Sequence, residues 1–278
     1  MVWSALFPAG LFTYPFMAHA WAAGLAIAAM CGLTGYFIVV RGAAFMAHAI
    51  PQSAFAGAAF ALFANWPSVA GIGTATALAA AGIAWLGGAG RAAATIAMVL
   101  VLSLGLGDLF LTLGNAYGPA AYALLFGQVV GISASQAWLS AILAAALAVA
   151  VLVSWRPLLF ATLFPATAQA RGLSPRWMDL WFAVLVAAAA TVTVPVAGAL
   201  LTFSLLVGPA ASAAHLASEP LKVMGLAALL AALIVALSLV IAYDTSLPVG
   251  LMVTGLSAIL YAVARTAGRH RRRLPSVA

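Results

Sequence analysis

Long runs without a charged residue divide the 278-residue chain into strongly apolar blocks. Three of these runs cover residues 42–90, 109–155 and 180–218. Since a helix needs about 20 apolar residues to cross the hydrocarbon of a bilayer, each is long enough for two passes. Apolar residues follow one another without the two-residue alternation of a strand, as in 141–153. Because backbone polar groups in lipid must be satisfied internally, the pattern predicts an all-α fold of membrane-spanning helices.

Turn-forming residues divide these blocks into single spans. Asn65 to Ser68 separates two helices, the stretch 114–119 follows another, and Pro195 interrupts a third block. A segment at 119–132 is too short to cross and is predicted to be a re-entrant or surface helix. These divisions predict a polytopic bundle in a single domain, 1–278, with about nine spans: 20–40, 46–64, 68–88, 92–113, 136–155, 177–195, 197–217, 222–242 and 248–266.

The composition excludes the soluble classes of protein. Apolar residues make up 67% of the chain and charged residues 5%, whereas a soluble domain has about a quarter of its residues charged. The net charge of +7 comes from only 11 basic and 4 acidic residues, which is too sparse for a nucleic-acid-binding patch. The single cysteine, Cys31, excludes an internal disulfide framework. The chain is therefore interpreted as a multi-pass membrane protein.

The positions of the basic residues predict an orientation. With the N-terminus outside and nine alternating spans, all 11 Lys and Arg fall on the cytoplasmic side, including a C-terminal basic tail at 265–278. This distribution obeys the positive-inside rule, and shifting the count by one pass would scatter the charges over both faces. The sequence therefore predicts an outside N-terminus and a cytoplasmic C-terminus in a bacterial-type inner membrane.

The longest cytoplasmic loop, residues 156–176, contains a short predicted helix. Ala166 to Arg171 consists of helix-forming residues, and Gly172 follows at the position of a helix C-cap. Because so short a helix is unstable by itself in water, we expect it to dock on another surface. An ordinary connecting loop is the alternative.

Several segments, in this order and spacing, resemble the permease subunit of ABC transporters for divalent metals. This is the zinc, manganese and iron group, which is related to the vitamin B12 type importers. The resemblance covers nearly the whole chain and rests on these segments: Tyr14–Ala20, Gly32–Gly35, Val39–Arg41, 123–132, Phe164–Leu173 and Gly198–Ala211.

The resemblance implies a function and a set of partners. It implies an ATP-driven importer that moves a divalent metal by alternating access. The permease would pair as a homodimer with its path at the dimer interface. A cytoplasmic ATPase subunit and an extracytoplasmic metal-binding protein would complete the complex in the lipid bilayer, without nucleic acid. The family's ATPase-coupling helix falls at 164–176, and its expected contact residues are Pro165, Ala166, Ala168, Ala170, Arg171 and Gly172.

The chain has no ATPase site or other enzymatic motif of its own. A phosphate-binding loop needs G-x-x-x-x-G-K-[ST], and the only lysine, Lys222, lies between Leu221 and Val223. ATP is therefore expected on the partner subunit, and no prosthetic group is predicted. The H-E-x-x-H motif of a metalloprotease is absent, and Ser257 has no obvious histidine partner for a serine protease.

The second span contains the strongest candidate for a metal path. The family pattern there is Gly-Asp-x-x-Ser-His, and this chain has His48 at the Asp position and Gln52 at the His position. These residues are four apart and share one helical face. Because imidazole suits zinc whereas oxygen ligands suit manganese, His48 favours zinc, with manganese or iron as alternatives. A histidine hydrogen-bonded between packed helices is the structural alternative.

Two further polar residues complete the predicted path. Asp108 is the only acid well inside a predicted span, so it is expected to face other helices, water or a cation. His215, near the predicted cytoplasmic boundary, is a candidate for metal exit or for interfacial packing. A gradient-driven secondary transporter is the main alternative function, and Asp108 is its only strong candidate for ion coupling.

Overall fold

The computed structural model describes residues 15–87, 92–114, 133–245 and 247–273. In those ranges all regular secondary structure is helical, which confirms the all-α prediction. Eight of these helices are long and apolar enough to cross a membrane. The predicted re-entrant or surface helix at 119–132 lies outside the described residues. The helices are α1 (Pro15–Val40), α2 (Ala44–Ala64), α3 (Ser68–Leu86), α4 (Ala92–Leu113), α5 (Ala134–Leu163), α6 (Pro165–Ala170), α7 (Pro175–Leu216), α8 (Pro220–Thr245) and α9 (Val249–Arg273).

The helix boundaries follow the predicted turn after α2, whereas α1 begins five residues before its predicted span and α5 and α9 end eight and seven residues after theirs. Asn65 ends α2 in the left-handed conformation, and α3 begins at Ser68. Helix α5 continues eight residues beyond its predicted end at 155, through Arg156 and Pro157. Arginine does not have to end a membrane helix, because its methylene stem packs along apolar surface while the guanidinium reaches the water at the interface.

Helix α7 contains two of the predicted spans in one 42-residue helical run. Its regular geometry is broken only at Gly198, whose φ of 80° and ψ of 161° are not helical. A non-glycine residue would be strained in this conformation. Pro195, the predicted break, stays inside the helical run. We call residues 175–197 the first arm and residues 199–216 the second arm.

The chain reverses its direction at Gly198. Asp179 contacts Arg41 at the end of α1, and Thr193 contacts Cys31, ten residues earlier, so the first arm runs antiparallel to α1. Beyond the break, Leu206 lies against Gly35, which is four residues after Cys31. A straight helix would separate residues 193 and 206 by about 20 Å, whereas four residues of α1 span only about 6 Å. The two arms therefore lie side by side as two spans.

Close contacts between backbones hold the centre of the bundle together. Gly35 lies directly against the backbone of Leu206, and Gly32 lies against the backbone of Ala227 in α8. Buried polar pairs accompany them, with 2.9 Å between the hydroxyls of Thr76 and Thr191. Small residues and such hydrogen bonds are the usual means of helix association in lipid.

The outer helices expose large apolar side chains, as expected for a surface covered by lipid. Leu78 is 74% exposed and Val153 is 76% exposed. Arg41 and Arg176 lie at one end of the bundle, together with Asp179 and the last turn of α3. We call this end of the bundle the basic end. We call the opposite end, where α2 and α4 finish, the far end.

Replacing Gly35 with Ala is expected to destabilise the fold by about 1–3 kcal/mol, because the added methyl group would overlap the carbonyl of Leu206. Gly225→Ala is the matched control, since that helical position has open space around it. Thermal unfolding of the detergent-solubilised variants measures the difference. Equal stability of the two variants would contradict the close approach of α1 and the second arm.

Candidate polar path through the helix bundle

His48 lies in the second turn of α2 with an unsatisfied nitrogen. Its Nδ1 atom is buried and has no hydrogen-bond partner. The ring packs edge-on against Phe203 of the second arm, with 5.0 Å between ring centroids and an interplanar angle of 75°. The structural alternative was a histidine hydrogen-bonded between helices. The Nδ1 atom of His48 makes no such bond. A buried nitrogen without a partner is costly for stability and is free to accept a ligand.

Pro51 leaves one backbone carbonyl of α2 without its helical hydrogen bond. Pro51 lies inside α2 and has no N–H, so it cannot donate to the carbonyl of Ala47. One turn after His48, Gln52 is almost completely buried, with 4% of its surface exposed. The His48 imidazole, the Ala47 carbonyl and the Gln52 amide are thus possible nitrogen and oxygen ligands, and they follow one another over little more than one turn of helix.

The face of α2 that carries His48 leads towards α4. His48, Gln52 and Phe55 follow the i, i+4, i+7 spacing of a single helical stripe. The Phe55 ring lies directly against Gly107 of α4, whose absent side chain makes room for it. The stripe rises about 10 Å between His48 and Phe55, so it connects the level of His48 with the level of Asp108.

Asp108 does not point into the described bundle. It lies on the exposed face of α4, together with Met98 (72% exposed) and Val101 (66% exposed). The sequence predicted that this acid would face other helices, water or a cation, and within the single described chain no helix covers it. An unpaired carboxylate facing lipid is unfavourable, so Asp108 is expected to meet a polar group or water beyond the described residues.

His215 is separate from the other candidates. It lies in the last turn of α7, where its ring packs against Tyr261 of α9 with 5.6 Å between centroids. The twelve residues from Phe203 to His215 span about 18 Å of helix, so His215 does not join His48. Among the described residues, no three His, Cys, Asp or Glu side chains are grouped as a metal site.

Helix α6 at the basic end has the features predicted for a docking helix. Pro165 begins it, and Gly172 follows its end with a φ of +83°. The N–H groups of Gly172 and Leu173 bond to the carbonyls of Gln169 and Ala168, which is the Schellman arrangement of a helix end. The inward residue is Ala168, which is 1% exposed, whereas the outward-facing residues of the predicted set are Pro165, Ala166, Ala170 and Arg171.

Sequence reasoning did not identify the residues that support these sites. Phe203 carries no polar chemistry, so only the packing of the two arms reveals its position against His48. Arg41 and Asp179 are 138 residues apart in sequence and form an ion pair of 2.8 Å at the basic end. In the sequence, the indications of this pair were that Asp179 is one of only four acids and that Arg41 is the first basic residue of the chain.

Comparisons with known proteins agree with this architecture. Residues 13–267 match the ABC 3 transport family. The chain is 25% identical over 261 residues to the manganese transport system membrane protein MntC of Listeria innocua, covering 93% of each chain. It is 24% identical over 256 residues to a probable iron transport system membrane protein of Haemophilus influenzae, covering 91% of this chain and 90% of the relative.

A solved structure has the same fold along the whole chain. The structure titled PsaBC from Streptococcus pneumoniae in complex with Fab aligns with a TM-score of 0.87. The alignment covers 99% of each chain at 22% sequence identity. The helix arrangement described above is therefore that of a known fold.

Replacing His48 with Leu is expected to leave the free energy of unfolding within about 1 kcal/mol of wild type or to raise it, because the change removes a buried unpaired nitrogen. Ile50→Ala, at a fully buried position on the same helix, is the positive control and should cost about 2–5 kcal/mol. Thermal unfolding of the solubilised protein provides the measurement. A loss for His48→Leu as large as that for Ile50→Ala would assign His48 to the structural framework.

Proposed function

The chain belongs to the ABC 3 transport family, and we propose that it is the membrane-spanning permease of an ATP-driven, binding-protein-dependent importer of a divalent metal cation. It is a multi-pass integral protein of a bacterial cell membrane. The observation that carries the proposal is the family match over residues 13–267, which includes the path residues of α2 and the exposed helix α6. The transported metal passes through chemically unchanged.

Manganese is the metal that we propose first. The Listeria relative is named for manganese and the Haemophilus relative for probable iron transport, while zinc was favoured in the sequence only through His48. A single imidazole beside the Ala47 carbonyl and Gln52 does not amount to a selective zinc site, which takes about four ligands. We therefore assign most of the metal selectivity to a separate extracytoplasmic binding protein, with zinc and iron as the competing substrates.

The two ends of the bundle suit two different partners. We assign the basic end to the cytoplasm, because basic residues are retained on that side of a membrane. The ATPase subunit docks there on α6, through Pro165, Ala166, Ala170, Arg171 and the turn at Gly172. The binding protein docks on the far end, which faces the outside, and the basic tail at 265–278 lies with the ATPase on the cytoplasmic side.

A second copy of the permease is the covering that Asp108 needs. The exposed face of α4 combines large apolar side chains with one unpaired carboxylate, which lipid alone would not accommodate. We propose that two copies pair across this face and that water and the metal fill the space beside Asp108. The path then leads from Asp108 along the stripe of α2 to Gln52 and His48, and His215 lies near the cytoplasmic exit.

Uptake into proteoliposomes tests the proposed function. The permease is purified with its ATPase subunit and reconstituted, and uptake of Mn²⁺ is measured with and without ATP and the binding protein, with Zn²⁺ and Fe²⁺ as competitors. We expect ATP-dependent uptake in which Mn²⁺ competes best. Uptake by the chain alone, driven by a proton gradient, would instead establish a secondary transporter.

Gly172→Val is expected to remove the ATPase subunit from the purified complex. Valine is strained at a φ of +83°, so the end of α6 would lose its arrangement while the spans remain folded. Gly225→Ala is the control, because that position is open and lies away from α6. Co-purification measures the outcome, and full retention of the ATPase by the valine variant would show that it docks elsewhere.

Asp108→Asn and His48→Leu are each expected to lower Mn²⁺ uptake by the intact complex about tenfold or more, because each removes a ligand or charge from the path. Gly225→Ala is the control, because this helical position has open space around it and is not among the path residues. Initial uptake rates at equal amounts of complex provide the measurement. Unchanged rates for both path variants would place the path elsewhere in the bundle.

A further inference from the structure

Arg41 joins three separate elements at the basic end. Its Nη1 donates to Oδ1 of Asp179 at 2.8 Å, and its Nε donates to Oγ1 of Thr162 at 3.0 Å. The guanidinium also lies 4.6 Å from the centre of the Phe182 ring. These contacts link the end of α1 with the last turn of α5 and the first turns of α7. We call Arg41, Thr162 and Asp179 the clamp.

The clamp holds both ends of the segment that carries α6. Thr162 lies three residues before Pro165, which begins α6, and Asp179 lies nine residues after Ala170, which ends it. Thr162 also donates its hydroxyl proton to the carbonyl of Leu158 at 2.6 Å, which orients its oxygen to accept from Arg41. Arg171 lies 5.5 Å from the Phe160 ring, so the end of α6 is itself held against α5. A displacement of α6 therefore acts on Thr162 and Asp179, and through them on Arg41.

Arg41 is also the last residue before the turn that leads into the path helix. Only Gly42 and Ala43 separate it from Ala44, where α2 begins, and His48 follows four residues later. A cavity of about 500 Å³ lies beside the clamp and is lined by Arg41, Met46, Ile83, Thr162, Asp179 and Phe182. Met46 belongs to the first turn of α2, so this turn borders open space and has room to shift.

The ion pair is distinctive within the described residues. The other salt bridge there, between Lys222 and Glu219, joins neighbours three apart in sequence and is exposed on both sides. In contrast, the Arg41 side chain is only 11% exposed, although that of Asp179 is 64% exposed, and this pairing crosses from one helix to another. A largely buried guanidinium forming a two-pronged contact gives directional support that a surface pair does not.

We propose that the clamp transmits the movement of α6 to the first turn of α2, so that Arg41 and Asp179 are positioning residues that couple ATP hydrolysis to opening of the path at His48. This inference rests on the proposed function, because it assumes that an ATPase moves α6. The clamp itself touches neither the metal nor ATP.

The test compares transport with ATP hydrolysis in the reconstituted complex of permease, ATPase and binding protein. Arg41→Met and Asp179→Asn are each expected to assemble and to hydrolyse ATP, while Mn²⁺ uptake per ATP falls about tenfold, in the usual range of coupling between linked sites. The double variant Arg41→Asp with Asp179→Arg should recover part of the Mn²⁺ uptake per ATP hydrolysed, because it restores the opposite charges. Arg156→Met is the matched control, because Arg156 is an exposed basic residue near the same end whose described contact is with the adjacent Trp155.

Two results would overturn the inference. One is an unchanged ratio of uptake to ATP hydrolysis in both single variants. The other is a loss of uptake that only follows the loss of assembled complex, with no recovery in the double variant. Absence of ATP-driven uptake by the wild-type complex would remove the proposed function as well, so the two failures are distinguishable.

Discussion

The contact between α1 and both arms of α7 is the constraint on which the rest of the structure depends. Apolar side chains gain little by leaving lipid for another helix, so association relies on close packing and hydrogen bonds. Gly35 removes the side chain where α1 meets Leu206, and Cys31 meets Thr193 one turn away, at 3.5 Å between Sγ and Oγ1. Once both arms are fixed on α1, the second arm presents Phe203 to His48 and the first arm presents Asp179 to Arg41.

Much of the helical framework could be predicted from the sequence, because lipid leaves the backbone few alternatives. Runs without charge locate the spans, and the described helices follow them closely. The sequence predicted the break between the two spans of α7 at Pro195, three residues before the observed reversal at Gly198. Pro195 is the more visible signal, yet a membrane helix tolerates proline, since neighbouring groups satisfy the freed carbonyl. The actual reversal depends on the backbone of Gly198, one of 25 glycines, most of which serve other purposes.

Only those parts of the candidate site whose residues are close together in the sequence could be predicted. The spacing of His48 and Gln52 places them on one face of a helix, and the structure agrees. Whether the Nδ1 atom of His48 finds a partner depends on the second arm, about 155 residues later, and no periodicity in the sequence reveals it. The exposure of Asp108 likewise depends on which faces of α4 pack against α2, and a carboxylate alone does not indicate its direction.

Pro51 divides α2 into two parts that are joined by a weaker stretch of helix. Beyond it, Gln52 to Ala59 are all buried, and before it Ala47, Ala49 and Ile50 are buried as well. Before it, the first turns carry His48 and border the cavity beside Arg41. Because Pro51 cannot bond to the carbonyl of Ala47, the helix is weakest between these two parts, and bending concentrates there. In the proposed coupling, a push delivered through Arg41 would bend α2 at Pro51 and move His48 relative to Gln52, and the buried side chains of Ala47, Ala49 and Ile50 would have to move with it.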